Sequence, residues 1–199
     1  MDRCTAEIGQ SGRSLLYRLS RDPGNPDPGQ ELYILEQHLQ GACQVVTDIL
    51  SRYQFESAVM DRRADRELPA SELCDLMTAA QERTYGDALN PEERHPYMWA
   101  VKGHYYRADL AYYNFPYAFG QLFGLGLYDR FEEDPSGFPE TYRNLLKATG
   151  RMPAVDVATS VGFDIESAPF WQRSIDRVER LVSRFEAMVL IRSETAPPV

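Results

Sequence analysis

The chain has 199 residues, 43% of them apolar and 26% charged, with 13 glycines and 13 prolines. That balance excludes disordered, collagen-like and coiled-coil chains, and the length suffices for one domain with a sizeable core. Its 21 basic and 30 acidic side chains leave −9 at pH 7, a sign that repels phosphate backbones and anionic lipid, so neither nucleic acid nor a membrane is an expected partner.

The N-terminal stretch MDRCTAEIGQSGRS lacks the basic-then-apolar order of a secretion signal. Residues 22–29, DPGNPDPG, hold three prolines and two glycines, which neither a helix nor a central strand accepts, so 1–30 reads as a linker-like N-terminal segment. From about Gln30 to Asp65, Leu32, Leu35, Leu39, Cys43, Val46, Ile49 or Leu50, Tyr53 and Val59 recur every three or four positions, the stripe of one long amphipathic helix. Its partner face is expected on the last helix, since a stripe of that length needs one in water. After Leu68-Pro69, Ser71 is placed to cap a second helix, with Leu73, Leu76, Met77 and Ala80 on one face and Gly86 ending it.

GDALNPEERHP, residues 86–96, then reads as loop, and a tyrosine-rich helical region follows from about Met98 to Phe131 with Pro116 as its kink. Within it, Leu110–Tyr128 carries no charge and contains Gly120 and Gly124 four apart. Asn114, Pro116, Gln121 and four tyrosines favour a buried helix over a membrane span, and Gly120, Gly124 and Gly126 read as close helix packing. A short helix over Phe138–Ala148 ends before Gly150, another begins after Pro153, and a final amphipathic helix runs from about Ala168 to Arg192, burying Phe170, Trp171, Ile175, Val178, Leu181, Phe185 and Met188. No stretch alternates with period two. The fold class is all-α, with a helical domain over 31–192 and a tail over 193–199.

Cys4, Cys43 and Cys74 are odd in number and widely spaced, which suggests neither a disulfide framework nor a thiolate zinc knuckle and suits a reducing cytoplasm. None of the three histidines, His38, His95 and His104, forms the two-histidine helical pair of a zinc site. What stands out is phenol density: Tyr97, Tyr105, Tyr106, Tyr112, Tyr113, Tyr117 and Tyr128 crowd around His104. Rings that pack while their hydroxyls face a polar cavity suit either a tyrosine-rich core or a site that steadies developing negative charge. Tyr113 and Tyr117 share a helical face, but His104 lies half a revolution off in an unbroken helix, so the three meet only if the chain bends.

The segments LEQHLQGACQVVTDILSRYQFE, ELCDLMTAAQERTYGDAL, HPYMWAVKGHYYRADLAYYNFPYAFGQLFGLGLY and GFDIESAPFWQRSIDRVERLV fall in that order between Glu31 and Leu190. In wording and order they resemble the C-terminal end of the catalytic domain of the oligoendopeptidase F family of zinc metallopeptidases, relatives of thimet oligopeptidase. The resemblance implies the helical C-terminal part of a zincin-type oligopeptidase that hydrolyses short peptides in the cytoplasm. It implies His104, in GHYY, and Tyr113 and Tyr117, in the motif ending PYAFG, as catalytic groups facing the substrate carbonyl. His95, Tyr97 and Trp99 become candidates for the substrate groove.

The family's His-Glu-x-x-His, with two zinc ligands and the general base, is not in this sequence and is expected upstream of position 1. Thr5-Ala6-Glu7-Ile8-Gly9 resembles a degraded form of the stretch that supplies the third ligand, which makes Glu7 the candidate metal ligand. One ligand does not hold zinc, so the expectation is a C-terminal fragment or separately encoded part, retaining no zinc and inactive alone. The competing expectation is a non-catalytic helical interaction module derived from that fold. Its partners would be a second copy of the chain or the missing N-terminal half.

Overall fold

A computed structural model describes residues 28–195. Among them every regular element is helical, as the missing period-two pattern requires. The seven α-helices are α1 (Pro28–Cys43), α2 (Ile49–Arg63), α3 (Ala70–Tyr85), α4 (Phe115–Glu133), α5 (Phe138–Ala148), α6 (Ala154–Ser160) and α7 (Ala168–Thr195). The described residues divide into two compact units, one of residues 28–42 and 119–195, the other Cys43–Ala118. No helix among them is long and apolar enough to cross a membrane.

The first long stripe is helical as expected, but it is not one register. Leu35, Leu39 and Ala42 are buried on α1. The next turn, Gln44–Asp48, is a π-helix, whose extra residue per turn rotates the stripe before α2 begins. Beyond Ala42 the expected line holds at buried Ile49 but not at Cys43, which is exposed, nor at Leu50 and Tyr53, which are 44% and 46% exposed, and Asp48, Ser51, Phe55 and Glu56 are buried off it. The partner also differs along its length. Glu31 on α1 pairs with Arg184 on α7, whereas α2 packs on α3 through Phe55, Leu76, Met77 and Ala80. Helix α3 starts at Ala70 rather than after Ser71, and ends at Gly86, whose φ of 56° closes the helix where a side chain would be strained.

In the other unit, Phe123, Leu127, Leu145, Val157 and Ala158 form the core, flanked by Phe119, Phe163, Phe170 and Trp171. Helix α4 is the buried helix expected of the uncharged stretch, beginning five residues later than Leu110. Pro116 lies in its first turn and does not kink it, because a missing N–H and a fixed φ are tolerated there. Close packing holds at Gly126, where a Cβ would lie 2.9 Å from the Phe170 ring, and not at Gly124, where it would meet nothing within 4 Å. Ser174, fully buried, donates to the Leu122 carbonyl at 2.7 Å, while Ile175 is 42% exposed. Ser174 thus takes the buried place expected of Ile175, while Phe170, Trp171, Val178, Leu181, Phe185 and Met188 are partly buried along the expected line.

His38 on α1 has a buried Nε2 with no hydrogen-bond partner among the described residues. Burial, and then the charge of Arg177, lower its pKa below the ordinary 6.5. The unfolded chain therefore binds that proton more tightly, and acid favours unfolding. The stability this neutral imidazole supplies is complete above 6.5 and is lost as pH falls through the lower folded value. Denaturant midpoints measured down the acid limb are expected to fall less steeply for His38→Leu than for the parent.

Candidate functional site

The stretch from Tyr97 to Asn114 is neither one helix nor a loose loop. Two 3-10 turns, Met98–Val101 and Gly103–Tyr106, are followed by tight turns up to α4. Their bonds are local: Tyr105 N–H to the Lys102 carbonyl at 3.1 Å and Arg107 N–H to the His104 carbonyl at 3.2 Å. At Tyr112 the chain enters the left-handed region, with φ 52°, the single such non-glycine among the described residues. That conformation costs a bulky residue about 1–2 kcal/mol. The Tyr112 N–H donates to Oε1 of Glu56 at 2.6 Å.

This break brings the expected trio together. The His104 and Tyr113 rings stack with centroids 5.1 Å apart and 24° between planes, and Tyr117, one turn into α4, puts its ring 5.7 Å from Tyr113. The Tyr117 hydroxyl donates to the Tyr113 hydroxyl at 2.9 Å. Buried Asn114 donates its amide N–H to Nε2 of His104 at 2.9 Å, which leaves the proton of the neutral imidazole on Nδ1. Burial, then Arg52 and Lys102, lower the His104 pKa and favour that neutral form.

A charged row lies in the same unit. Asp48, Arg52 and Glu56 follow at four-residue intervals across the end of the π-turn and α2. Arg52 pairs with Asp48, and the Tyr85 hydroxyl donates to Oδ1 of Asp48 at 3.3 Å. Burial first, then the Asp48 charge, push Tyr85 up to about 12. Burial raises the Glu56 pKa against the pull of its Tyr112 hydrogen bond. Tyr105 is also pushed up, by burial and then by the Glu56 charge.

Glu56, His104 and Tyr105 line a cavity of about 510 Å³ whose apolar wall includes Phe55, Val59 and Trp99. Tyr113, Tyr117, His95 and Tyr97 do not line it. Trp99 packs on the unit's core. His95 is held by its backbone: buried Gln81 accepts from its N–H and donates to its carbonyl, both at 3.0 Å. Its Nδ1 accepts from the Tyr97 N–H at 3.1 Å, and Tyr97 is 55% exposed. The three groove candidates are thus neighbours in sequence, of which Trp99 alone reaches the cavity.

Among the described residues no group of three or more His, Cys, Asp or Glu side chains could hold a metal ion, so they do not by themselves fit a zinc centre. Glu7 lies outside the described residues. Sequence reasoning missed Glu56, Asn114 and the Asp48–Arg52 pair. A charged row beside apolar Ile49 and Phe55 on one helix was the available signal. The chain matches no known family model, no curated protein and no solved structure.

Proposed function

We propose that this chain is the donor-bearing C-terminal part of a zinc-dependent oligopeptidase of the oligoendopeptidase F kind. It contributes the groups that face a scissile carbonyl, while another segment contributes the metal and the base. The observation that carries this reading is the single cluster formed by His104, Tyr113 and Tyr117, three residues that the resemblance names, the first of which an unbroken helix would hold apart from the other two. A neutral imidazole beside two mutually hydrogen-bonded phenols suits an oxygen that gains negative charge. One phenol polarises the O–H of the next, and none of the three has to gain or lose a proton to act.

The same cluster limits what the chain does alone. Donors stabilise an oxyanion but neither generate a nucleophile nor accept its proton. The purified 199-residue protein is expected to leave unstructured oligopeptides uncut and to retain no stoichiometric zinc after desalting. Adding a segment that bears His-Glu-x-x-His is expected to restore both zinc retention and cleavage, read by metal analysis and a quenched fluorescent peptide. Chelator-sensitive cleavage by the unsupplemented chain would overturn this division of labour, and failure of every such segment to restore cleavage would overturn the peptidase reading.

A further inference from the structure

We propose that Glu56 is a positioning residue whose carboxylate holds Tyr112 in the left-handed conformation that lays Tyr113 on His104. Its catalytic consequence rests on the reading of the cluster given above, whereas the geometry it accounts for does not.

Strain in the backbone persists only where the surroundings over-determine it. Tyr112 is an aromatic residue at φ 52°, a conformation that asparagine or glycine adopts far more readily. Its ring rests 5.4 Å from that of half-exposed Tyr53, too peripheral a contact to fix the backbone. Its N–H, by contrast, is 2.6 Å from Oε1 of Glu56, a residue that is 5% exposed and carried on regular helix α2. A short hydrogen bond to a carboxylate is among the stronger ones a backbone amide makes, and it offsets the strain of a left-handed aromatic residue. Burying a carboxylate is itself unfavourable, so the bond serves both partners. The next two residues are Tyr113, stacked on His104, and Asn114, bonded to its Nε2. Returning Tyr112 to the right-handed region would redirect both at once.

The test is the NMR signature of the His104 ring, whose protons feel the ring current of the stacked Tyr113, with exposed His95 as internal reference. Glu56→Ala is expected to move the His104 resonances towards those of His95, and Glu56→Gln, which keeps an acceptor oxygen, to move them much less. Tyr112→Gly added to Glu56→Ala is expected to return them, because glycine adopts the left-handed conformation without an anchor. Loss of the Tyr53 contact accompanies Tyr112→Gly in either background and cancels in the comparison. Unmoved resonances in a folded Glu56→Ala protein would overturn the proposal, as would a movement that Tyr112→Gly does not reverse. If Glu56→Ala does not fold, the double variant decides: a folded protein with the parent His104 signature supports the proposal, and an unfolded one overturns it. In the reconstituted peptidase, Glu56→Ala is expected to lower kcat on the order of 100-fold, as a displaced catalytic group does, with KM little changed. A lost stack with undiminished turnover would leave Glu56 holding the bend and remove the cluster from the catalytic site.

Discussion

Replacing Tyr117 by Phe in the peptidase reconstituted with a His-Glu-x-x-His segment is expected to lower kcat by about 100-fold while leaving KM near that of the parent. The substitution removes one oxygen and keeps the ring, so the 5.7 Å approach to Tyr113 survives and peptide binding, which depends on shape, is little affected. What disappears is the hydroxyl that now donates to Tyr113 at 2.9 Å and that turns its one proton to the oxyanion when it acts as a donor. An oxyanion donor is used far more in the transition state than in the ground state, and removing one raises the barrier by about 3 kcal/mol. Such a loss belongs in kcat. Steady-state kinetics on a series of peptides separates the two cases: a kcat unchanged within about threefold removes Tyr117 from the reacting site, and a change confined to KM assigns it to binding.

The sequence made legible those parts of the fold in which local chemistry and tertiary packing agree. Phe138–Ala148 and the stop at Gly86 were placed by breakers and caps, and the helical class followed from apolar spacing. The errors lie where an element departs from ideal geometry. The π-turn at Gln44–Asp48 shifted the buried face onto Phe55 and Glu56, and a period of 3.6 has no means of showing an extra residue in a turn. Residues 98–114 kept helix-compatible spacing but formed two 3-10 turns and then tight turns, because Pro116 can only begin α4 and Gly103 permits the break. The bend between His104 and Tyr113 was foreseen from their half-revolution offset. Its cause was not, because an aromatic at Tyr112 gives no sign of a left-handed backbone. The Glu56 carboxylate that accepts from the Tyr112 N–H lies 56 residues away in sequence.

Asp48→Ala is expected to destabilise the protein by about 3 kcal/mol, the largest stability effect among the charged residues, because it leaves Arg52 without its partner. The Asp48 and Arg52 side chains are 13% and 15% exposed, and Arg52 Nε is buried with no hydrogen-bond partner among the described residues. The guanidinium that remains is largely shielded from water. Tyr85 loses the acceptor for its hydroxyl in the same variant. Arg52→Met added to Asp48→Ala is expected to recover most of that loss, because an apolar replacement of a buried ion pair is often close to neutral, whereas half a pair is not. Chemical unfolding of the parent, both single variants and the double variant measures the coupling, and a double variant no more stable than Asp48→Ala would show that packing, not charge, holds this row. The pair also bears on the cluster, since the Arg52 charge, after burial, helps to lower the His104 pKa. Arg52→Met should therefore raise that pKa part of the way back towards 6.5, with burial and Lys102 still opposing it. An NMR titration of His104 unchanged by Arg52→Met would leave burial and Lys102 as the causes of the neutral imidazole and confine Arg52 to its bond with Asp48.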